Sequence, residues 1–257
     1  MLKLLHAELK RSWTLQFRYF GNTLGSLISV TIVFYALFLG TRYMAGPTAQ
    51  FGERLDAIVV GYILWALLLT IIVGVATDLQ DEAQTGTLEQ VFLSPFGPIR
   101  VFLLRAVANL LWNLASTFAI LLAIMLLTGA RLTFSISVLP PFAAMLLGAY
   151  GIAFMFGALA LLLKRMHQLV NLFMFALLFV FMTSFETLPQ PLAILGYLLP
   201  MAPSVSLLRE LLARDLVSDP VVLTIAFANG LIYCFIGLLL FRQASLKIRK
   251  LGLLVGY

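Results

Sequence analysis

The chain has 257 residues, of which 62% are hydrophobic and only 11% charged. Its 17 basic and 11 acidic side chains cannot cover a 28.4 kDa globule, and a mean hydropathy of +1.04 leaves most of the surface apolar. A water-soluble domain, with about one quarter of its residues charged, is excluded, and the net charge of +6 matters by where the bases sit in an integral membrane protein, not as a sign of nucleic acid.

In chain order, residues 1–20 set Leu2, Leu5, Leu9, Trp13 and Phe17 at helical spacing among Lys3, Lys10, Arg11 and Arg18. That pattern predicts an amphipathic helix lying at the membrane–water interface, with an ordinary juxtamembrane anchor as the plainer alternative. The stretch is too long, and with Glu8 too mixed in charge, for the lead-in of a signal peptide.

A spanning helix needs about 20 mainly apolar residues. Five runs meet or approach this: Leu24–Gly40, Ile58–Thr77, Val101–Thr128, Val138–Leu163 and Val221–Phe241, with Leu169–Ser184 a shorter sixth that stands fifth in order. Pro140 and Pro141 mark the start of the fourth, and Asp219–Pro220 reads as N-cap and first position of the last. After Ser184 the chain stays apolar to Leu212 but carries Pro189, Pro191, Pro200 and Pro203. Prolines at that density cannot lie in one straight span. The expectation is two short helices dipping back toward the membrane, where protein or a water-filled cavity covers the broken backbone.

Orientation follows from the bases. With the N-terminus inside, the inner segments hold Lys3, Lys10, Arg11, Arg18, Arg100, Arg105, Lys164, Arg165, Arg242, Lys247, Arg249 and Lys250, twelve against five outside (Arg42, Arg54, Arg131, Arg209 and Arg214). Both termini are therefore expected to be cytoplasmic. The reading is an all-α polytopic membrane protein of six transmembrane helices and one domain, 1–257. Within it lie an interface helix (1–20), a cytosolic region (78–98), a broken re-entrant outer segment (186–212) and a cytosolic tail (242–257).

The cytosolic region is unusual. It carries Asp78, Asp81, Glu82 and Glu89 where inner loops favour bases. Span two can run on through Glu82 and stop at Gly86, a left-handed terminator. Thr87 then reads as an N-cap with Gln90 completing a capping box. The new helix sets Leu88, Val91 and Phe92 on one face and Glu89 on another, and Ser94–Pro95 ends it. Gly97–Pro98 launches span three. A solvated acidic loop would not need so many consecutive caps and stops.

These residues carry a resemblance. Glu82, Gly86–Thr87–Leu88–Glu89 and Ser94–Pro95, followed by Arg100 and the Arg105-Ala-Val-Ala-Asn109 start of a helix, resemble the signature of ABC transporter permeases of the type-2 export class, as does the layout from end to end. The resemblance implies that Thr87–Ser94 is a coupling helix seated on a separate ATPase subunit, with Asp81, Glu82, Gly86, Thr87, Leu88, Glu89, Val91, Phe92, Ser94 and Pro95 forming the coupling region. It implies a second permease copy, as homodimer or close heterodimer, and a substrate path near the dimer axis between spans one, two and five. Phe34, Phe38, Leu64, Leu68, Phe173, Phe181 and Glu186 are candidates for that path. Their apolar and aromatic character suits an amphipathic or lipid-like cargo: drug, lipid, glycolipid or polysaccharide. Glu82 and Glu89 are expected to pair with bases on the partner or on the chain's own Lys10–Arg18 stretch. Localisation to the cytoplasmic (inner) membrane follows, among membrane lipids.

Independently, the chain has no Gly-x-x-x-x-Gly-Lys-[Ser/Thr] phosphate loop, and no glycine is followed by lysine. The expectation is a transport subunit, not an enzyme, that binds no cofactor or metal itself and leaves ATP and magnesium to its partner. His6 and His167 have no ligand cluster beside them. Cys234 reads as a packing residue. Gly21-x-x-x-Gly25 and the Gly148, Gly151, Gly157 series allow close helix approach, at a dimer interface or within the chain. Asn109, Asn113, Asn171 and Asn229 are suited to interhelical hydrogen bonds. The alternative of an ion-coupled secondary transporter lacks a mid-span charge and an internal repeat, Glu186 being its nearest carboxylate. An intramembrane serine protease lacks a buried histidine.

Overall fold

The computed structural model describes residues 2–45, 52–129, 132, 134–163, 167–183, 189, 192–213 and 219–251. Among them the elements are helices and none is a strand. They are α1 (Leu2–Arg18), α2 (Phe20–Ala45), α3 (Gly52–Gln84), α4 (Leu88–Leu93), α5 (Pro98–Thr128), α6 (Leu139–Leu162), α7 (His167–Met182), α8 (Leu192–Leu198), α9 (Ala202–Ala213) and α10 (Pro220–Leu251), with a 3₁₀ turn at Ile136–Val138.

Five of these are long and apolar enough to cross a membrane: Thr23–Gly40, Asp56–Gln84, Pro98–Thr128, Ile136–Leu162 and Pro220–Lys250. Gln168–Met182 is a shorter apolar helix. The five spans agree with the sequence reading. The sixth stays short because α7 stops at Met182, and Ser184 and Glu186 lie outside the described residues. At about 1.5 Å per residue, the 33 residues of α3 reach roughly 50 Å, well beyond a hydrocarbon core of about 30 Å. Helix α3 is therefore longer than the hydrocarbon core it crosses, and α4 follows its C-terminal end.

Helices α3 and α6 form the centre, with 72% and 67% of their spanning windows buried, against 11% for α2 and 22% for α5 and α10. The outer helices keep Ile28, Ile32, Leu111, Phe118, Leu231 and Phe235 exposed, as a lipid-facing surface requires. Glycine makes the α6–α10 contact possible. A Cβ on Gly151 would strike the backbone of Tyr233 and Cys234, and one on Gly237 would strike the backbone of Gly151. Gly148 and Gly157 likewise sit against Met201 and Leu79, so this series serves packing within the chain. Gly21 and Gly25 have nothing within contact distance and play no such part here.

Asp219 and Pro220 begin α10 as expected: Val221 N–H donates to Asp219 Oδ1 at 2.9 Å. In the first third of that helix, Asn229 repairs the broken stretch between α8 and α9. Its Oδ1 accepts from Met201 N–H at 3.1 Å, and its Nδ2 donates to the carbonyls of Tyr197 and Leu199, each at 3.1 Å. Met201 has φ +62°, a conformation few side chains adopt. One buried amide thus bonds three backbone groups around the break at Pro200, where Leu199 O also accepts from Ala202 N–H. Arg209, expected among outer bases, is instead buried in α9 and donates to the carbonyls of Phe181 and Thr183. The end of α7 leaves carbonyls that need donors, and a guanidinium supplies them.

The N-terminal helix packs lengthwise on α5. Helical hydrogen bonds cross the junction with α2, from Tyr19 N–H to Leu15 O and from Thr23 N–H to Tyr19 O. Glu8 pairs with Arg105, Ser12 with Asn109, and Trp13 and Phe17 with Trp112. A helix crossing α5 flat would touch it once. Contacts advancing along both helices mean that α1 runs beside α5, held there by buried polar pairs that composition alone does not reveal.

Candidate functional site

The C-terminal end of α3 turns sharply at Gly86, which has φ +71°. Thr87 N–H donates to Glu82 O at 3.0 Å and Gly86 N–H to Ala83 O at 3.3 Å, the paired bonds of a helix closed by a left-handed residue. The six residues of α4 follow, ended by Ser94 at φ −56°, ψ 141°, the extended backbone that Pro95 imposes. Gly97, φ +72°, then sets the direction of α5 with Pro98 at its first turn. Helix, elbow, short helix, turn and long helix stand as read from the sequence.

The capping box does not. Thr87 has helical dihedrals and caps nothing with its side chain. Its hydroxyl donates to the Glu82 carboxylate. A charged acceptor outcompetes a neutral backbone cap, because charge-assisted hydrogen bonds are about twice as strong.

Glu82 is the centre of a buried ionic cluster. It is 8% exposed, as is Glu8 of α1, and Arg105 of α5 is 5% exposed. Arg105 Nη1 lies 2.9 Å from Glu82 Oε1, and its Nε donates to Glu8 Oε2 at 3.2 Å. Arg11 reaches Glu82 at 3.1 Å and Glu8 at 3.6 Å. Two acids and two bases from three helices thus neutralise one another, and Thr87 ties the elbow into the same cluster. The expected pairing of Glu82 with the N-terminal helix is present. Arg105, named in the sequence only as part of the signature and among the inner bases, is the partner that sequence reasoning did not assign to Glu82.

Helix α4 has two faces. Leu88 and Phe92 are buried in the core and anchor it to the bundle. The remainder faces out: Glu89 and Gln90 are exposed, Leu93 is 83% exposed, and Phe96 stands beside it. Leu88 and Phe92 are thus turned toward their own chain, with Val91 half-buried between. Glu89 has no ion pair among the described residues. Asp81 and Pro95 are exposed too, and Lys10 and Arg18 are surface residues of α1.

A second brace comes from α10, which reaches past its span to α4. Arg249 Nη2 donates to Phe92 O at 2.6 Å, and its guanidinium lies 5.6 Å from the Phe92 ring centroid. The bond satisfies a carbonyl that a six-residue helix leaves open. Arg249→Ala should raise amide exchange over 88–93 about tenfold, the scale of one charge-assisted hydrogen bond. Exchange equal to that of the unchanged protein would show that the contact holds nothing.

Of the path candidates, Phe34, Phe38, Leu64, Leu68 and Phe181 are buried in the core of the single chain. Phe34 and Tyr62 rings meet at 4.8 Å, and half-buried Phe173 meets Phe156 at 5.0 Å. Glu186 lies outside the described residues. Among the described residues no group of three His, Cys, Asp or Glu could hold a metal.

A multi-pass helical bundle with a short helix set between two sharp turns at one end is the class this geometry defines. The profile of the ABC-2 type transporter family matches residues 3–213, most of the chain. The chain belongs to that family, and it is an ABC-type permease, the membrane-spanning component of such a transporter. No curated protein matches it.

Proposed function

We propose that the chain is the permease subunit of an ATP-driven exporter and that α4 is the element through which a separate ATPase subunit drives it. The observation that carries this is α4 itself, hinged at Gly86, anchored inward by Leu88 and Phe92, and presenting Glu89, Gln90 and Leu93 outward. An exposed leucine beside an exposed acid on a rigidly braced helix is what a protein groove recognises: an apolar anchor with a polar rim. Force on α4 would pass through the Glu82–Thr87 bond into α3 and through Arg249 into α10.

In this reading the α4 end is cytosolic, as the excess of bases there favours, and the permease works as a homodimer or close heterodimer in the inner membrane. The cargo is amphipathic or lipid-like and passes between α2, α3 and α7, whose core aromatics must then part during the cycle. ATP and magnesium belong to the partner.

A mild-detergent pull-down of the tagged chain, followed by mass spectrometry and an ATPase assay, tests the proposal. Co-purification of a nucleotide-binding subunit with vanadate-sensitive hydrolysis is expected. Recovery of the chain alone, with no hydrolysis, would defeat it.

A further inference from the structure

Between α1, α3, α5 and α6, toward the α4 end, lies a partly open cavity of about 220 Å³. Much of its lining is polar: Gln16, Thr70, Asp78, Asn109, Asn113 and Tyr150 all face it. The hydroxyl protons are already committed. Thr70 donates to Leu67 O at 2.7 Å and Tyr150 to Ala106 O at 2.9 Å, so their oxygens remain as acceptors. Asp78 Oδ2 accepts one hydrogen bond, from Asn109 Nδ2 at 3.3 Å. Among the described residues no base pairs with Asp78, whereas Glu8 and Glu82 share Arg11 and Arg105. The cavity therefore offers several acceptor oxygens, and its carboxylate is acted on by Arg105 and Arg11 without forming an ion pair with either.

Such a site calls for a cation with several donors. A divalent metal ion is a poor match, since Asp78 is the one carboxylate in the described lining and no group of three His, Cys, Asp or Glu forms among the described residues. The size excludes a drug-sized molecule, which needs about 300 Å³ or more, but admits a small organic ammonium. The level in the bundle is also informative. Trp112 sits between Asn109 and Asn113 on α5, and it packs on Trp13 and Phe17 of α1 at 6.4 and 6.1 Å. Trp13 is 47% and Phe17 61% exposed, a group of aromatic rings of the kind that gathers at headgroup depth.

We propose that this cavity binds a primary ammonium group, as carried by a phosphatidylethanolamine headgroup, with Asp78 as counter-ion and Asn113 and Gln16 as further partners. The inference stands apart from the coupling reading, because binding requires no ATPase.

The test uses the full chain in dodecyl maltoside and follows thermal stability during titration with dihexanoyl phosphatidylethanolamine, its phosphatidylcholine counterpart, and free ethanolamine. The ethanolamine lipid should stabilise the protein at concentrations about tenfold lower than the choline lipid, whose quaternary nitrogen has no N–H to donate. Asp78→Asn, nearly isosteric, should erase that preference, and Asn113→Leu should weaken it from the opposite wall with the carboxylate intact. Stabilisation by free ethanolamine as well would mean that the ammonium alone suffices, and stabilisation by the lipid alone would assign the site to a headgroup. Equal responses to the two lipids, no response to either, or a preference that survives Asp78→Asn would overturn the proposal.

Discussion

On the proposed reading, replacing Gly86 by valine should uncouple the permease from an ATPase subunit while leaving insertion and folding intact. The space around Gly86 is open, with no heavy atom near the position of an added Cβ, so the cost is purely one of backbone conformation. At φ +71° a β-branched residue is strained by roughly 1–2 kcal/mol or more. The chain can relieve that strain only by giving up the left-handed turn and the bonds from Thr87 and Gly86 to Glu82 and Ala83. A penalty of that size shifts the population of the native elbow by about five- to thirtyfold. In nanodiscs with the ATPase subunit, the permease-dependent part of the ATPase rate should fall by the same factor. Asparagine tolerates left-handed backbone, so Gly86→Asn should retain most of it. If valine and asparagine variants hydrolyse alike at the rate of the unchanged protein, the elbow does not transmit force.

Arg105→Met produces the largest loss of stability. Methionine fills much of the same volume, so the effect isolates the charge. Glu8 and Glu82 would be left buried with only Arg11, which is 42% exposed at its side chain, between them. Removing one partner from a buried ionic cluster costs about 3–5 kcal/mol, because a charge remains without compensation. That corresponds to a fall in thermal midpoint on the order of 10 °C in a chain of this length. Adding Glu8→Gln, which removes the surplus charge, should restore more than half of the loss. A midpoint unchanged in Arg105→Met would mean that water screens the cluster. A double variant no better than the single would mean that packing, not charge, was lost.

What the sequence made legible was local. Gly86, Ser94–Pro95 and Asp219–Pro220 act within a few residues through φ, ring closure and side-chain capping, and the structure repeats them. The spans were legible because lipid demands a continuous apolar helix. Contacts between distant parts of the chain were not legible. Thr87 reads as a cap until Glu82, five residues back, folds over it. Arg209 counts in the sequence as one of the outer bases, and its burial against the open carbonyls of α7 required the fold. Asn229 was assigned interhelical hydrogen bonding, but its partners, the backbone of residues 197–201, required the fold. The pose of α1 depends on Glu8–Arg105 and Ser12–Asn109, pairs 97 residues apart. At α4 the helical period identified an apolar face, but which face turns inward was decided by the anchoring of Phe92 under Arg249. Leu93, absent from that face, is the residue left outward.

That outward leucine offers the most direct test. The permease in nanodiscs is titrated with its purified ATPase subunit, with Leu93 intact and as Leu93→Asp. Leu93 is exposed, so the fold is indifferent to the change, but an apolar anchor in an interface carries about 2 kcal/mol or more. The account predicts unchanged thermal stability and a Kd weakened by about tenfold or more. Equal affinity of both forms for the ATPase subunit would contradict it and move the docking surface away from α4.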